Sequence, residues 1–262
     1  MSFIRSFSIN TNKQQPFPFN IPAVRFAKNI LLDKVNIFIG DNGCGKSTLL
    51  ETIAYAIDLP LIGGYIKDVK DFEAARLLKP YLRLDWRRNT QVGFFFRAED
   101  FSAFLDSVEK ERAKLKMQLH DLHGHVNDAI IEQMIESQNS VLIEMRKKYG
   151  KDMLGFSHGE AYLEILQTRI KSKGVYLLDE PEAALSPLKQ LALIVFILET
   201  LKHNNAQFII ATHSPILMGL PRAVLYEIRE DEMEQVEFKD TEHYRITKTF
   251  LENPEAYLRH LQ

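Results

Sequence analysis

The chain has 262 residues, of which 45% are hydrophobic and 26% charged, enough to bury one sizeable core. Its formal net charge of −2 excludes the overall basic bias of many nucleic-acid-binding proteins, although a local basic patch is compatible with it. One cysteine excludes an internal disulfide and suits a reducing compartment. The sequence shows neither a signal-peptide pattern nor a bilayer-spanning apolar stretch, so we expect a cytoplasmic protein without membrane insertion.

The first part of the chain predicts strands on either side of an irregular segment. Residues 3–9 alternate between apolar and polar side chains, which predicts a strand, and a polar turn and a proline-rich segment follow. The apolar run 35–39 predicts a buried strand, and residues 48–57 predict a helix. Residues 40–47 connect this strand to this helix.

Residues 40–47, Gly-Asp-Asn-Gly-Cys-Gly-Lys-Ser, fit the pattern of a phosphate-binding loop. The glycines allow backbone N–H groups to face an anion, and the helix N-terminus adds the positive end of its dipole. Lys46 can reach the β- and γ-phosphates of a nucleotide, and the hydroxyl of Ser47 can ligate Mg²⁺. The same polarised loop predicts a reactive thiol at Cys44 in the empty site. The strand and helix on either side disfavour a chance glycine-rich turn. The predicted nucleotide-binding residues are Asn42, Gly43, Cys44, Gly45, Lys46, Ser47 and Thr48.

The middle of the chain predicts a change from sheet to helix. Residues 71–80 have helical spacing and end at a proline, and the apolar run 92–96 predicts a strand. Residues 101–148 contain no proline and one glycine, Gly124, while their apolar residues recur at helical spacing. We interpret this segment as two helices that form a lobe inserted into a single domain spanning residues 1–262.

The second half of the chain alternates between apolar strands and helices, which is typical of a mostly parallel sheet covered by helices. The sequence therefore predicts an α/β fold with an antiparallel β portion at its N-terminus and an inserted helical lobe. The predicted elements of this half are helix 159–171, strand 175–178, helix 187–204, strand 207–211, strands 223–229 and 233–238, and short helices around Pro254.

Two acidic residues follow the apolar strand 175–178. A sheet strand would deliver Asp179 to a bound nucleotide, where its carboxylate can hold Mg²⁺ directly or through water. Glu180 can then act as the general base that polarises the attacking water. The alternative is a solvated acidic turn, which the position after a buried strand, in a chain with a phosphate-binding loop, disfavours.

Together these motifs resemble the ABC-class P-loop ATPases, the head-domain family shared by transporters, SMC and RecF proteins and OLD-type nucleases. The stretch 156–160, Phe-Ser-His-Gly-Glu, resembles the family signature Leu-Ser-Gly-Gly-Gln, with departures at its third and fifth positions. The resemblance implies that Ser157, Gly159 and Glu160 bind the γ-phosphate of an ATP held by the other subunit of a dimer. Read without the resemblance, Ser157 and Glu160 form an ordinary capping box at a helix start.

The resemblance assigns further residues. His213 follows an apolar strand and matches the switch histidine that contacts the γ-phosphate. Ser186 stands where the family has the Asp of its subunit-contacting loop. The family's glutamine is missing, and Arg97 and Glu99 are the candidates for its place. The sequence Asp-Glu-Pro-Glu at residues 179–182 resembles RecF and OLD-type ATPases more than transporter subunits.

The resemblance implies a P-loop NTPase fold and Mg²⁺-dependent hydrolysis of ATP, in a head-to-tail homodimer that ATP closes and hydrolysis opens. The implied catalytic residues are Lys46, Glu180 and His213, and the implied metal ligands are Ser47 and Asp179. Three biological roles stay open. They are DNA maintenance or phage defence with DNA or a soluble effector protein, the ATP-hydrolysing subunit of a membrane transporter, and an ATP-sensing regulator of a separate toxin or nuclease.

Overall fold

The structure is a computed structural model that covers the central sheet and both end regions of the chain. The described residues are 2–11, 16–62, 72–101, 110, 113, 117, 163, 166, 167, 169, 170, 173–183, 185–203 and 205–259. The predicted signature residues Ser157, Gly159 and Glu160 lie outside this set. Most of the predicted lobe 101–148 and of the predicted helix 159–171 lies outside it as well.

Two sheets form the framework of the described structure. The strands in chain order are β1 (Ile4–Ile9), β2 (Ile30–Leu31), β3 (Val35–Gly40), β4 (Leu61–Ile62), β5 (Leu82–Trp86), β6 (Gly93–Arg97), β7 (Gly174–Asp179), β8 (Ala206–Ala211), β9 (Val224–Ile228) and β10 (Met233–Val236). A seven-stranded sheet has the order β10-β9-β3-β8-β7-β6-β4, in which all neighbours are parallel except β10 and β9. A three-stranded antiparallel sheet has the order β2-β1-β5.

In chain order, the α-helices with bounds in the described parts of the chain are α1 (Pro22–Arg25), α2 (Lys46–Ile57), α3 (Glu73–Leu78), α4 (Pro187–His203), α5 (Pro215–Met218), α6 (Glu242–Glu252) and α7 (Pro254–Leu258). Helices α2, α4 and α5 follow strands of the parallel sheet, as crossovers between parallel strands require. Short 3₁₀ turns lie at Lys79–Tyr81 and Phe238–Asp240. No helix in the described parts of the chain is long and apolar enough to cross a membrane.

The three central strands β3, β7 and β8 are buried at every residue, because layers of the protein cover both faces of the sheet. Successive side chains of a strand point to opposite faces, so each strand contributes to two apolar clusters. In β3, Ile37 belongs to the cluster that includes Leu193 of α4, whereas Phe38 belongs to the cluster that includes Leu49 of α2. This double packing holds the carboxyl ends of the strands, where the site lies, in a fixed relation.

One buried amide side chain, Gln207 of β8, joins the two sheets. Its Oε1 accepts hydrogen bonds from the backbone N–H groups of Phe3 (3.0 Å) and Ile4 (2.8 Å). Its Nε2 donates to the carbonyl oxygens of Ile4 and Asp33, both at 2.9 Å. All four hydrogen bonds of the amide are therefore made inside the protein, which removes the cost of burying it.

The structure confirms the α/β fold, the mostly parallel sheet and the antiparallel N-terminal portion. Strands β2, β4 and β5 were not predicted, since β2 and β4 have only two residues each and β5 alternates between half-buried and exposed positions. The predicted C-terminal boundary of helix 71–80 is wrong. The helix stops at Leu78, and Pro80 lies in a 3₁₀ turn, because proline has no N–H to continue the helical hydrogen bonds.

Candidate nucleotide-binding and catalytic site

The phosphate-binding loop joins β3 to α2, as the sequence predicts. Gly45 is the N-cap of α2 with φ of 98°, in the left-handed region that favours glycine. A Cβ atom at Gly45 would also lie 2.8 Å from Cδ1 of Ile21. At Gly40, a Cβ atom would lie 2.4 Å from the carbonyl oxygen of Ile228. The two glycines are therefore required by the loop conformation and by its close neighbours.

The ammonium group of Lys46 lies inside this loop. The side chain is 4% exposed, and its Nζ donates to the carbonyl oxygens of Gly40 (2.8 Å) and Asp41 (3.0 Å). The charge is thus held among backbone oxygens next to the N-terminus of α2. A bound nucleotide would offer phosphate oxygens in exchange for these carbonyl groups.

The other predicted nucleotide-binding residues differ in accessibility. Asn42 and Gly43 are exposed, while Ser47 and Thr48 are half-buried. Cys44 is only 8% exposed, and its N–H donates to the carbonyl oxygen of Asp41 at 3.3 Å. This burial counts against the expected reactivity of the Cys44 thiol, since its side chain packs into the apolar cluster that includes α2, although the ammonium of Lys46 lies 3.7 Å from its sulfur.

Asp179 and Ser47, the two predicted metal ligands, are in contact. Oγ of Ser47 donates to Oδ1 of Asp179 at 3.2 Å, which joins the start of α2 to the end of β7. Burial raises the pKa of Asp179 to about 7, against the opposing effects of the Ser47 hydroxyl and the Arg97 guanidinium. A carboxylate whose charge is disfavoured by burial gains from a bound cation, and carboxylate and hydroxyl oxygens are the ligands that Mg²⁺ prefers. The two side chains therefore fit this ion.

Arg97 ends strand β6 and lies opposite Asp179 in the register of the sheet. Its guanidinium contacts Glu51 of α2 at 3.1 Å, Asp100 at 3.6 Å and Asp179 at 3.6 Å. It also contacts Glu99 at 2.9 Å, but the Glu99 side chain is 78% exposed, unlike the buried acids. Of the two candidates for the place of the missing glutamine, Arg97 is the one in contact with the site.

Glu180 follows β7 in an unusual backbone conformation. Its φ of 48° lies in the left-handed region, which costs a residue with a Cβ atom free energy. Its N–H donates to the carbonyl oxygen of Ala211 at 2.9 Å, which fixes the turn against the end of β8. The side chain stays 47% exposed, as a base that must reach a water molecule requires.

His213 follows β8, which lies between the strands that carry the phosphate-binding loop and Asp179. Its Nε2 is 3.8 Å from Oε1 of Glu180. Burial lowers the pKa of His213, and the nearby ammonium of Lys46 lowers it further, while Glu180 opposes the shift. The imidazole is therefore neutral at neutral pH, and one ring nitrogen carries a proton while the other can accept one.

A third acid, Glu182, holds the His213 segment in place, a role that the sequence did not predict. Its Oε1 accepts hydrogen bonds from the backbone N–H groups of His213 (2.6 Å) and Ser214 (3.2 Å). Ser214 Oγ then caps α5 and hydrogen-bonds Oε1 of Gln190 at 2.5 Å. The sequence signal for this role was the second glutamate of the Asp-Glu-Pro-Glu stretch. Nothing in the sequence connects that glutamate with a segment some thirty residues later.

Ser186 is exposed, and its carbonyl oxygen accepts the N–H of Gln190 at 2.9 Å near the start of α4. The structure thus brings together Lys46, Ser47, Asp179, Glu180 and His213 at the carboxyl ends of β3, β7 and β8. Ligand sites of open α/β sheets lie at this edge.

The fold and this site are those of an ABC-class P-loop protein. A sequence model of a known family, described as "AAA domain, putative AbiEii toxin, Type IV TA system", matches residues 67–219, more than half of the chain. The chain belongs to this family.

Curated relatives and solved structures show further similarity. The phosphate import ATP-binding protein PstB 5 of Trichormus variabilis is 28% identical over 166 residues, which are 61% of this chain and 60% of that protein. PstB of Bifidobacterium longum is 29% identical over 188 residues, 71% of this chain and 70% of that protein. The Pyrococcus furiosus Smc head domain with an extended coiled coil, solved bound to the C-terminal domain of ScpA, is 13% identical with a TM-score of 0.49. That similarity covers 97% of this chain and all of the other. The chain spans about 60% of the length of the first of these relatives.

Proposed function

We propose that the protein binds Mg-ATP, hydrolyses it to ADP and phosphate, and uses ATP to close a head-to-tail homodimer. The observation that carries the proposal is a pair of short distances between three separate loops. Ser47 lies 3.2 Å from Asp179, and Glu180 lies 3.8 Å from His213. An anion-binding loop, a buried acid that fits a cation, an accessible base and a neutral imidazole are the groups that phosphoryl transfer to water needs.

In this mechanism each side chain has one task. Lys46 exchanges the carbonyl oxygens of Gly40 and Asp41 for oxygens of the β- and γ-phosphates. Ser47 and Asp179 would hold a Mg²⁺ ion, which would supply positive charge to neutralise the phosphates.

The remaining two groups act on the attacking water and the terminal phosphate. The exposed carboxylate of Glu180 orients the water and accepts its proton. The neutral imidazole of His213 hydrogen-bonds the terminal phosphate, and Glu182 holds its backbone while it does so. The second subunit supplies Ser157, Gly159 and Glu160 to the same phosphate.

For the biological role, we propose a switch in DNA maintenance or phage defence that acts with DNA or a soluble effector protein. The family description, which names a putative toxin of a toxin–antitoxin system, supports a defence role. It equally suits an ATP-sensing regulator of a separate toxin or nuclease. The alternative of a transporter subunit is supported by the phosphate import proteins among the relatives.

The test is the molar mass of Glu180→Gln by light scattering, with and without Mg-ATP. This substitution keeps the size of the side chain but removes the base, so we expect ATP to bind, turnover to fall and a stable dimer to form. Glu199→Gln, on an exposed position of α4, is the matched control and should turn over ATP like the wild type. Adding Ser157→Arg should return Glu180→Gln to a monomer without loss of ATP binding.

A mass of Glu180→Gln that does not respond to ATP, although ATP binds, would rule out the closing dimer. A pull-down with the trapped Glu180→Gln protein then separates the roles. Recovery of DNA or a soluble effector supports the proposed role or the regulator, and recovery of a membrane permease supports the transporter subunit.

A further inference from the structure

The C-terminal region of the chain reaches the candidate site through His243, the second residue of α6. Its ring centroid lies 5.8 Å from that of His213, and the two ring planes are inclined by 47°. His213 in turn lies 3.8 Å from Glu180. A row of three side chains, Glu180, His213 and His243, therefore leads from the proposed base to the tail helix.

The first turn of α6 is built firmly enough to give His243 a defined position. Thr241 is fully buried and caps the helix, since its Oγ1 accepts from the N–H of Tyr244 (3.2 Å) and donates to the carbonyl oxygen of Phe238 (2.9 Å). The rings of Phe238 and Tyr244 pack edge to face at 4.8 Å. Helix α6 also packs against α5, which begins two residues after His213. The tail and the His213 segment are thus one packed unit.

The two imidazoles each have a buried nitrogen that still needs a partner. Among the described residues, neither Nε2 of His213 nor Nδ1 of His243 makes a hydrogen bond. Buried polar atoms without a partner are rare in folded proteins, and those that occur are often filled by a ligand or an ordered water. The two atoms lie on neighbouring rings, and His213 follows a strand whose carboxyl end lies at the edge where the phosphates would bind, so an oxygen-bearing ligand would satisfy them.

We propose that His243 is a positioning residue of this site, which holds the imidazole of His213 towards the terminal phosphate of the bound nucleotide. The proposal rests on the ATPase function proposed above. When the nucleotide is bound, Nδ1 of His243 makes its hydrogen bond to the terminal phosphate, directly or through one water. ATP therefore protects the already formed first turn of α6 more than ADP does, so the stability of the tail helix differs between the two nucleotide-bound states.

The experiment uses the full chain with three single substitutions. His243→Phe keeps a flat ring but removes both nitrogens, His243→Gln keeps hydrogen bonding, and Arg245→Ala is the matched control. Arg245 lies two residues away on α6, and among the described residues its guanidinium pairs with the exposed Asp240. The readouts are kcat and KM for ATP, the dissociation constants of ATP and ADP, and hydrogen exchange of residues 241–250 with each nucleotide.

We expect His243→Phe to lower kcat about tenfold, a modest part of what direct proton transfer contributes, while the affinity for ADP stays at the wild-type value. His243→Gln should recover part of the loss, and Arg245→Ala should match the wild type. The double variant His213→Gln, His243→Phe should be no slower than His213→Gln alone, because His243 acts through His213. In the wild type, ATP should slow the exchange of residues 241–250 more than ADP does, and His243→Phe should abolish the difference.

Failure of this inference can be told from failure of the proposed function. If the wild type hydrolyses ATP and His243→Phe, with unchanged ADP affinity, matches Arg245→Ala in kcat and exchange, the role of His243 is overturned and the ATPase stands. If the wild type binds ATP without hydrolysing it, the proposed function fails. The ATP-specific protection of the tail and its loss in His243→Phe then decide the inference by themselves. A protein that binds neither nucleotide overturns both.

Discussion

Nε of Arg97 lies 3.6 Å from Oδ2 of Asp179, and strands β6 and β7 place the two residues directly opposite each other. The guanidinium also contacts Glu51 and Asp100, so one cation forms ion pairs with three acids of low exposure. A glutamine, the residue that the resemblance implies at the end of this strand, would take the guanidinium charge away from these acids. Here the chain's own cation lies beside the carboxylate that would receive Mg²⁺.

We predict that Arg97→Gln lowers stability without metal but increases the stabilisation by Mg²⁺. Removing the cation from a buried ion-pair network costs about 3 kcal/mol, because the acids stay buried and lose the charge of the guanidinium. A divalent cation at Asp179 would then replace the lost charge. Thermal unfolding with and without Mg-ATP measures both effects. Arg5→Gln, which removes an exposed arginine that pairs with exposed Asp85, is the control. An equal Mg²⁺ response in Arg97→Gln and the wild type would contradict competition between arginine and metal.

Glu182→Ala should slow hydrolysis while leaving ADP affinity nearly unchanged. The substitution removes the acceptor for the N–H groups of His213 and Ser214, each of which makes a hydrogen bond to a charged group worth about 1.5–3 kcal/mol. His213 would then be poorly positioned, although the phosphate-binding loop is untouched. Steady-state kinetics and ADP calorimetry provide the measurement, with the exposed Glu255→Ala as control. A kcat equal to that of the control would show that the His213 segment holds its position without Glu182.

Lys46→Ala should remove most of the affinity for ATP and ADP. Its ammonium is the main cation in the loop, and charged hydrogen bonds of this kind contribute about 1.5–3 kcal/mol each. Isothermal calorimetry gives the dissociation constants directly. Lys28→Ala, at an exposed position before β2, should bind like the wild type. Unchanged ATP affinity in Lys46→Ala would contradict the assignment of residues 40–47 as a phosphate-binding loop.

Cys44 should react slowly with alkylating reagents even without nucleotide. Its thiol is 8% exposed and packed, so a reagent reaches it only after the loop opens. We expect a rate at least about tenfold below that of the same thiol in urea, since access, and not only thiolate character, limits such a reaction. Mass spectrometry after timed iodoacetamide pulses measures it, and Cys44 is the one cysteine of the chain. Equally fast labelling of the folded and unfolded protein would mean that the loop is open in solution.

Local patterns in the sequence determined the elements of the fold that carry the site. The phosphate-binding loop, the acidic pair after strand 175–178 and the histidine after strand 207–211 are each set by a few consecutive residues. Their chemistry depends on spacing along one loop, or on the end of one buried strand, and such relations are visible in a sequence. The predicted sheet follows in the same way, since runs that are apolar on both faces belong to buried parallel strands.

The tertiary structure alone decided which residues support these motifs. Arg97 meets Asp179, Glu182 meets His213, and His243 meets the same histidine from the end of the chain. In the first and last of these pairs, strand register or helix packing decides which side chain the residue meets. The burial of Cys44 belongs here too, because the neighbouring layer that covers the loop comes from other parts of the chain. Contacts between distant segments depend on how the layers pack, and packing is a property of the whole fold that no local pattern encodes.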